Sequence, residues 1–313
     1  MTKDKPGFLR RTQYLTEYAA IRVLSAVTGL MPEQMAAWAG RNLGRLLWLI
    51  APRRRLIARG NIERAMPHLN GQALDRMVKE AFLNIGLTAM ETLWMRRRVN
   101  PDDIARRFPM DGIEAVDGAR RSDRGVIVFT LHLGNWELCG ATVAAQIGGV
   151  RALARPVNNP HVRAYTTRLR ERLGMTVLST RDGVRPMLRA LRAGGVLAVL
   201  MDQHVNRAFV PATFFARPAA TTAVVASLAL RTGAPVFAGY GVRQGRGFRH
   251  HGQLEGPLEL IQTGDHEADV AANTQRFNDR LEQFVRKHPE QWLWTHRRWK
   301  LADRAATAGH KEK

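Results

Sequence analysis

From about residue 125 onward, short apolar runs alternate with helix-like stretches, and this alternation restricts the possible folds more than any other feature. The runs 125–131 and 195–201 are rich in aliphatic residues and short enough to be buried strands. Further strands are predicted near 151–155, 175–178 and 235–240, and helices up to about 146, from 160, and at 183–193, 221–232 and 268–287. Strands that alternate with helices favour an α/β fold with a mostly parallel central sheet flanked by helices.

The segment 125–140, GVIVFTLHLGNWELCG, carries the first candidate for chemistry. Its strand delivers His132 to the carboxyl end, where open α/β sheets bind their ligands. Glu137 follows five residues later, so the two residues are a candidate base and its orienting carboxylate. Positions five apart in one helix point about 140° away from each other, so the pair can meet only across a bend, for which Gly134 is the candidate. The alternative is a structural histidine at a strand end, with Glu137 favourable in the first turn of a helix.

Polar residues follow two other predicted strands at the same edge. Arg155 ends the strand near 151–155, and Asp202 and Gln203 follow 195–201. Because the carboxyl ends of parallel strands meet at one edge, these residues are expected to share a crevice with His132. Capping of the loop is the alternative role for Asp202 and Gln203.

The segment 289–300, PEQWLWTHRRWK, combines three tryptophans with His296, Arg297, Arg298 and Lys300. Aromatic and basic residues together can stack on nucleic-acid bases or form an interfacial belt over lipid phosphates. The run is short and matches no known nucleic-acid recognition module.

The charge of the chain indicates a polyanionic partner. Lysine and arginine number 48 against 27 acidic residues, a net charge of +21, which suits an anionic membrane, a phosphorylated substrate, an acidic protein or nucleic acid. Genome composition and solvated faces are the alternative source of this bias. Cys139 is the single cysteine, so an intramolecular disulfide and a cysteine-based zinc site are excluded, and no metal site is predicted.

The first 60 residues are predicted to be a membrane-associating helical segment. Residues 14–31 are mostly apolar but contain Glu17 and Arg22, so they lack a clean run of ~18 apolar residues for a transmembrane helix. Residues 34–51 combine Trp38 with arginines, and more arginines follow at 53–59, which is typical of an amphipathic element at a membrane surface. An ordinary helix packed on the domain is the alternative. Residues 61–300 are the predicted α/β domain, with a core helix at 71–95, and the polar tail 301–313 is predicted to be disordered.

An ordered set of motifs resembles one family. It comprises Arg59 with NIERAMP (61–67), Glu91 with Trp94, HLGNWE (132–137), RPVNNP (155–160), DQ (202–203), FFARPAATT (214–222) with LALRTGAPV (228–236), and PEQWLWTHRRWK. Over about residues 15–300 the chain resembles the bacterial lipid A biosynthesis acyltransferases, the late lauroyl and myristoyl transferases, within the glycerolipid acyltransferase superfamily that carries the His-x4-Asp/Glu motif. Ala216 and His204-Val205-Asn206 depart from that pattern.

The resemblance implies acyl transfer from an acyl carrier protein thioester to a hydroxyl of a lipid A precursor, on the cytoplasmic face of the inner membrane. The expected partners are acyl carrier protein, the phosphorylated glycolipid and an anionic membrane, without nucleic acid and without a cofactor. His132 would be the general base, with Glu137 fixing its tautomer, and Arg155 with backbone N–H groups near Gly134 would stabilise the oxyanion. The predicted substrate-binding residues are Asn135, Arg155, Asp202, Gln203, Arg217, Arg297 and Arg298. Alternatives are the same chemistry on another glycolipid, an aminolipid or a lysophospholipid, or a non-catalytic protein that binds anionic membranes.

Overall fold

A computed structural model describes residues 7–98, 100–121 and 124–303. The helices are α1 (Phe8–Leu30), α2 (Glu33–Ile50), α3 (Pro52–Ala65), α4 (Gly71–Arg98), α5 (Pro101–Arg107), α6 (Ile113–Arg120), α7 (Trp136–Ile147), α8 (Pro160–Arg172), α9 (Arg185–Arg192), α10 (Val224–Thr232) and α11 (His266–Lys287). The strands are β1 (Met110–Asp111), β2 (Val126–Thr130), β3 (Val150–Ala154), β4 (Met175–Ser179), β5 (Val196–Leu200), β6 (Phe209–Phe214), β7 (Arg217–Thr222), β8 (Val236–Arg243) and β9 (His250–Glu255). A short 3₁₀ helix spans Pro289–Gln291.

The central sheet confirms the predicted α/β class. Its strand order is β1-β9-β8-β2-β5-β3-β4, and neighbouring strands run parallel except β8 and β9. The strand β2 lies inside the sheet between β5 and β8, so the residues that follow it emerge at the centre of the carboxyl edge.

Helices cover both faces of this sheet, as the branched aliphatic strands require. Alternate residues of a strand point to opposite faces, and in β2 the side chains of Ile127 and Phe129 enter one buried cluster while those of Val126 and Val128 enter the other. A strand buried on both faces reads as a continuous apolar run, which is why β2 and β5 were recognisable in the sequence.

The N-terminal helices pack through small residues and leave apolar side chains exposed. Gly86 of α4 lies so close to α2 that a Cβ atom there would be 2.3 Å from the carbonyl oxygen of Gly40, so the two helices cross with their backbones in contact. Away from this contact α1 and α2 expose large apolar side chains: Leu15, Val23, Leu24, Val27, Leu30, Met35, Trp38, Leu46, Leu49 and Ile50. Within the described ranges, every helix is too short or too polar to span a bilayer. Membrane association of residues 1–60 stays a prediction.

Several elements differ from the sequence-based assignment. The helix predicted from Thr221 begins at Val224, because Thr221 and Thr222 end strand β7 of the antiparallel β6–β7 hairpin. This hairpin carries Pro211, Pro218 and several alanines, residues with low strand propensity, and β9 is largely polar, so neither was predicted. Residues 300–303 are helical, and the rest of the predicted tail lies outside the described residues.

Candidate active site

His132 emerges from the end of β2 in a loop held by backbone hydrogen bonds. The carbonyl oxygen of His132 accepts from the N–H of Leu293 at 3.1 Å, and the Gly134 N–H donates to the carbonyl of Gln291 at 3.1 Å. The bend predicted at Gly134 is present: its φ is +57°, and a Cβ atom there would lie 2.3 Å from the carbonyl oxygen of Gly241. The turn therefore requires glycine both for its backbone conformation and for its close packing. The Gly134 N–H thus already donates to Gln291, and an oxyanion role for the backbone N–H groups near Gly134 stays a prediction.

The imidazole of His132 is paired with Asp202. Its Nδ1 lies 2.7 Å from Asp202 Oδ1, while Asp202 Oδ2 accepts from the His132 backbone N–H and from the indole N–H of Trp292, each at 2.8 Å. Burial opposes ionisation of Asp202, which is 2% exposed, but the histidine and these donors outweigh it and lower its pKa to about 2. An ionised carboxylate on Nδ1 places the ring proton there, so Nε2 is the atom left to accept a proton.

Strand register explains this pair. β2 and β5 pair in parallel with Thr130 opposite Leu200, so two residues further along His132 and Asp202 emerge side by side. The next residue is Gln203, whose amide nitrogen lies 3.1 Å from His132 Nε2. The amide can donate to Nε2, or to a substrate oxygen that takes the place of Nε2 as its acceptor.

Glu137 contacts a different partner from the one predicted. Its Oε2 accepts from Arg170 Nε at 2.8 Å, and its Oε1 pairs with the second guanidinium nitrogen of that residue. The contact predicted between Glu137 and the histidine ring is made by Asp202 instead, and the catalytic role of Glu137 stays a prediction. Trp136, the residue before Glu137, packs edge-on against His132, with ring centroids 4.8 Å apart.

Asn135 is buried and belongs to the scaffold of the loop. Its Oδ1 accepts from the Leu138 N–H at 3.1 Å, which caps α7, and its amide donates to Glu91 Oε2 at 3.0 Å. Glu91 is fully buried and also contacts Arg243 at 2.8 Å and His250 at 2.7 Å. Burial opposes ionisation of Glu91, but its contacts with His250, Arg243 and Asn135 outweigh it and lower its pKa to about 2.

The predicted arginines occupy three different environments. Arg155 lies just beyond β3 at the same sheet edge as His132, and both Arg155 and Arg297 are exposed. Arg217 on β7 is partly buried. Arg298 is fully buried and donates to the Ala220 carbonyl at 2.8 Å and to Thr221 Oγ1 at 2.7 Å. Its guanidinium therefore faces the interior, where burial lowers its pKa to about 10.

His296 is a neighbour of the site that the sequence did not assign to it. Its Nε2 accepts from the backbone N–H of His204 at 3.0 Å, and burial lowers its pKa to about 4. A neutral imidazole is suited to accept this hydrogen bond, so His296 supports the segment that follows Asp202 and Gln203.

An apolar pocket opens beside His132, between α7 and the sheet. Trp136 and Glu137 line it next to the histidine, together with Thr130 at the end of β2. Most of its other walls are aliphatic or small: Val128, Cys139, Gly140, Val143, Val150, Ala152, Leu153, Ala154, Met175, Val196, Ala198, Leu200, Gly239 and Leu254. An apolar lining of this kind suits a hydrocarbon group, and Trp136, which packs against His132, connects the pocket to the histidine.

The fold and the site define a class of α/β protein in which a histidine–carboxylate pair lies at the carboxyl edge of the sheet, beside an apolar pocket. The chain belongs to the bacterial lipid A biosynthesis acyltransferase family, which matches residues 1–301. It is 29% identical over 301 residues to a lipid A biosynthesis lauroyltransferase of Escherichia coli (strain K12), covering 93% of this chain and 94% of that one. The palmitoleoyltransferase of the same organism is 28% identical, covering 86% of each chain. A phosphatidylinositol mannoside acyltransferase of Mycobacterium tuberculosis (strain ATCC 25618 / H37Rv) is 28% identical, covering 66% of this chain and 64% of that one. The protein is thus an enzyme that transfers acyl groups to lipid acceptors.

Proposed function

We propose that the protein transfers a fatty acyl chain from an acyl carrier protein thioester to a hydroxyl group of a lipid A precursor. The observation that carries this proposal is the His132–Asp202 pair, with contacts of 2.7 Å and 2.8 Å, beside an apolar pocket that Thr130 and Trp136 line. It joins a base that can act at neutral pH to a site for the acyl chain.

In the proposed reaction His132 Nε2 accepts the proton of the acceptor hydroxyl as its oxygen attacks the thioester carbonyl carbon. The tetrahedral intermediate collapses when the carbon–sulfur bond breaks, and the imidazolium returns the proton to the sulfur. Asp202 holds the ring and stabilises the imidazolium. The proposed donors to the oxyanion or to the acceptor are Gln203, whose amide nitrogen is 3.1 Å from His132 Nε2, and the exposed Arg155, which follows β3.

The charge of the chain supports the proposed substrates. A net charge of +21 suits both an acidic carrier protein and a phosphorylated glycolipid. The exposed Arg155 and Arg297 are the candidate phosphate contacts, whereas the interior position of Arg298 assigns it to the scaffold.

An assay of the purified full chain tests the proposal. With a panel of acyl carrier protein thioesters and a lipid A precursor, mass spectrometry is expected to detect the precursor with one added acyl chain. The His132→Ala variant should form little or none of it, because a positioned base is typically worth ~10²–10⁴ in rate. A wild-type protein that fails to acylate this precursor contradicts the proposal.

A second acceptor class is favoured by the similarity to the phosphatidylinositol mannoside acyltransferase. The chemistry would be the same and the acceptor another glycolipid. Mass spectrometry of membrane lipids after gene deletion separates the two, because the first proposal predicts under-acylated lipid A and the second leaves lipid A unchanged.

The exposed face of α1 and α2 is proposed to bind the anionic inner membrane from its cytoplasmic side. Trp38 and Leu49 are 67% and 61% exposed, and Arg41 and Arg45 of the same helix accompany them. Full burial of a large apolar side chain contributes about 1.5–3 kcal/mol, so Trp38→Glu with Leu49→Glu is expected to weaken vesicle binding more than tenfold. Co-sedimentation with phosphatidylglycerol vesicles measures this.

Val184→Glu is the matched control for membrane binding. Val184 is 44% exposed and precedes α9, outside α1 and α2, so this variant should bind vesicles like the wild type. Equal binding by the Trp38/Leu49 variant would show that another surface contacts the membrane.

A further inference from the structure

The apolar pocket beside His132 is lined along the length of strands β2, β3 and β5. Alternate residues of β2, β3 and β5 face it, and they form rows across the strands. The row at the carboxyl edge contains Thr130 and Leu200, next to His132. Four residues back along β5 lies Val196, so the residues that line the pocket span roughly 13 Å along this strand, at about 3.3 Å per residue.

The middle of the pocket is lined by small side chains. Ala152 and Ala198 are paired neighbours on β3 and β5 and occupy the row between the two ends. On the opposite wall α7 presents Gly140, one turn after Glu137. Small side chains on both walls widen the gap between the helix and the sheet, which encloses a cavity of about 60 Å³. A longer acyl chain therefore enters only when flexible lining side chains move.

Met175 closes the far part of this pocket. It begins β4 and pairs with Val150, in the row at the amino edge of the sheet. Its side chain crosses from the sheet to α7, since a Cβ atom added at Gly140 would lie 3.0 Å from the Met175 sulfur. Methionine is flexible and fills irregular space, so its thioether can act as a stop whose position depends on the occupant.

We propose that Met175, resting against Gly140, is the residue that limits the length of the acyl chain the enzyme accepts. The inference rests on the proposed acyl transfer and adds the residue that selects the donor. A chain that enters with its thioester at His132 runs down the pocket until its terminal methyl group meets the Met175 side chain. Shortening Met175 lengthens the pocket, and a side chain at Gly140 shortens it.

The test measures the acyl-chain preference of the full-length enzyme with acyl carrier protein thioesters that differ by two carbons. One methylene in an apolar pocket changes selectivity about 10–200-fold. Met175→Ala is therefore expected to raise the relative kcat/KM for the next longer chain at least tenfold. Gly140→Leu is expected to shift the preference toward shorter chains by a similar factor.

Two control variants separate a change of pocket length from a general loss of packing. Met187→Ala removes an equally buried methionine (4% exposed, against 3% for Met175) from the cluster on the other face of the sheet. Gly118→Leu adds a leucine to α6 at a position with open space. Both controls should keep the wild-type preference.

Each outcome decides the inference. If circular dichroism shows that Met175→Ala does not fold, Gly140→Leu still tests the inference, because its acyl-chain preference should shift toward shorter chains. An unchanged preference in the folded variants, or the same shift in Met187→Ala, overturns the role of Met175 while leaving acyl transfer in place. A wild-type enzyme inactive with every thioester overturns the proposed function, and the role of Met175 with it.

Discussion

Asp202→Asn is expected to lower acyl transfer by about 10⁴, the loss found when the triad aspartate of a serine protease is changed in this way. The reason lies in the two donors on Asp202 Oδ2, the His132 backbone N–H and the Trp292 indole N–H. An asparagine must keep its carbonyl oxygen toward these donors, so its NH₂ group faces His132 Nδ1. The imidazole then carries its proton on Nε2 and can no longer accept the proton of the acceptor hydroxyl.

Glu137→Gln is the matched comparison. Both carboxylate oxygens of Glu137 contact Arg170, so the neutral amide weakens that ion pair without changing the tautomer of His132. We expect a smaller loss of kcat than for Asp202→Asn, measured in the same thioester assay with both variants checked for folding. The reverse order of losses would assign the orienting role to Glu137, as the sequence motif predicts.

The position of the site could be predicted from the sequence because local patterns determine it. Apolar runs such as 126–130 identify buried strands, and the residues just after them lie at the carboxyl edge. His132, Arg155, Asp202 and Gln203 were all placed at that edge in this way. The bend at Gly134 was also predictable, since a helix alone would separate His132 from Glu137.

The partner of His132 could not be predicted, because it depends on strand order and register. β2 pairs with β5 and not with β3, the next strand of the central sheet in sequence. His132 and Asp202 are 70 residues apart, and sequence proximity favoured Glu137 instead. Arg298 illustrates the same limit, because arginine is rarely fully buried and only the tertiary fold shows its contacts with Ala220 and Thr221.

The buried contacts of Glu91 connect helix α4 and strands β8 and β9 to the loop that carries His132. The Glu91 carboxylate on α4 pairs with Arg243 of β8 and contacts His250 of β9. It also accepts a hydrogen bond from the side chain of Asn135, which precedes α7. Asn135 is three residues from His132, so the network fixes the turn that follows the histidine. Glu91 belongs to one of the motifs that resemble the acyltransferase family. Its partners could not be predicted, because each lies more than 40 residues away in sequence.

Glu91→Ala is expected to lower the free energy of unfolding by about 3–5 kcal/mol, because it leaves the buried guanidinium of Arg243 without its counterion and His250 without its hydrogen-bond partner. Arg243 is 6% exposed and His250 2% exposed. Within the described part of the chain, Arg243 Nε and Nη2 already lack a hydrogen-bond partner. Urea denaturation measures the loss. Asp75→Ala removes the exposed Arg59–Asp75 pair (41% and 64% exposed side chains) and should cost no more than about 1 kcal/mol.

The difference in free energy of unfolding between wild type and Glu91→Ala depends on pH. This dependence separates loss of the charge from loss of side-chain volume. The pKa of Glu91 is about 2 in the folded protein, against 4.5 ordinarily. A lowered pKa means that the unfolded state binds the proton first, so the stabilisation is present above about pH 4.5 and disappears as the pH falls toward 2. The gap between wild type and Glu91→Ala should therefore narrow over that interval, whereas a cavity effect would persist at every pH. A constant gap would show that packing, and not the ionised carboxylate, is what Glu91 contributes to the catalytic loop.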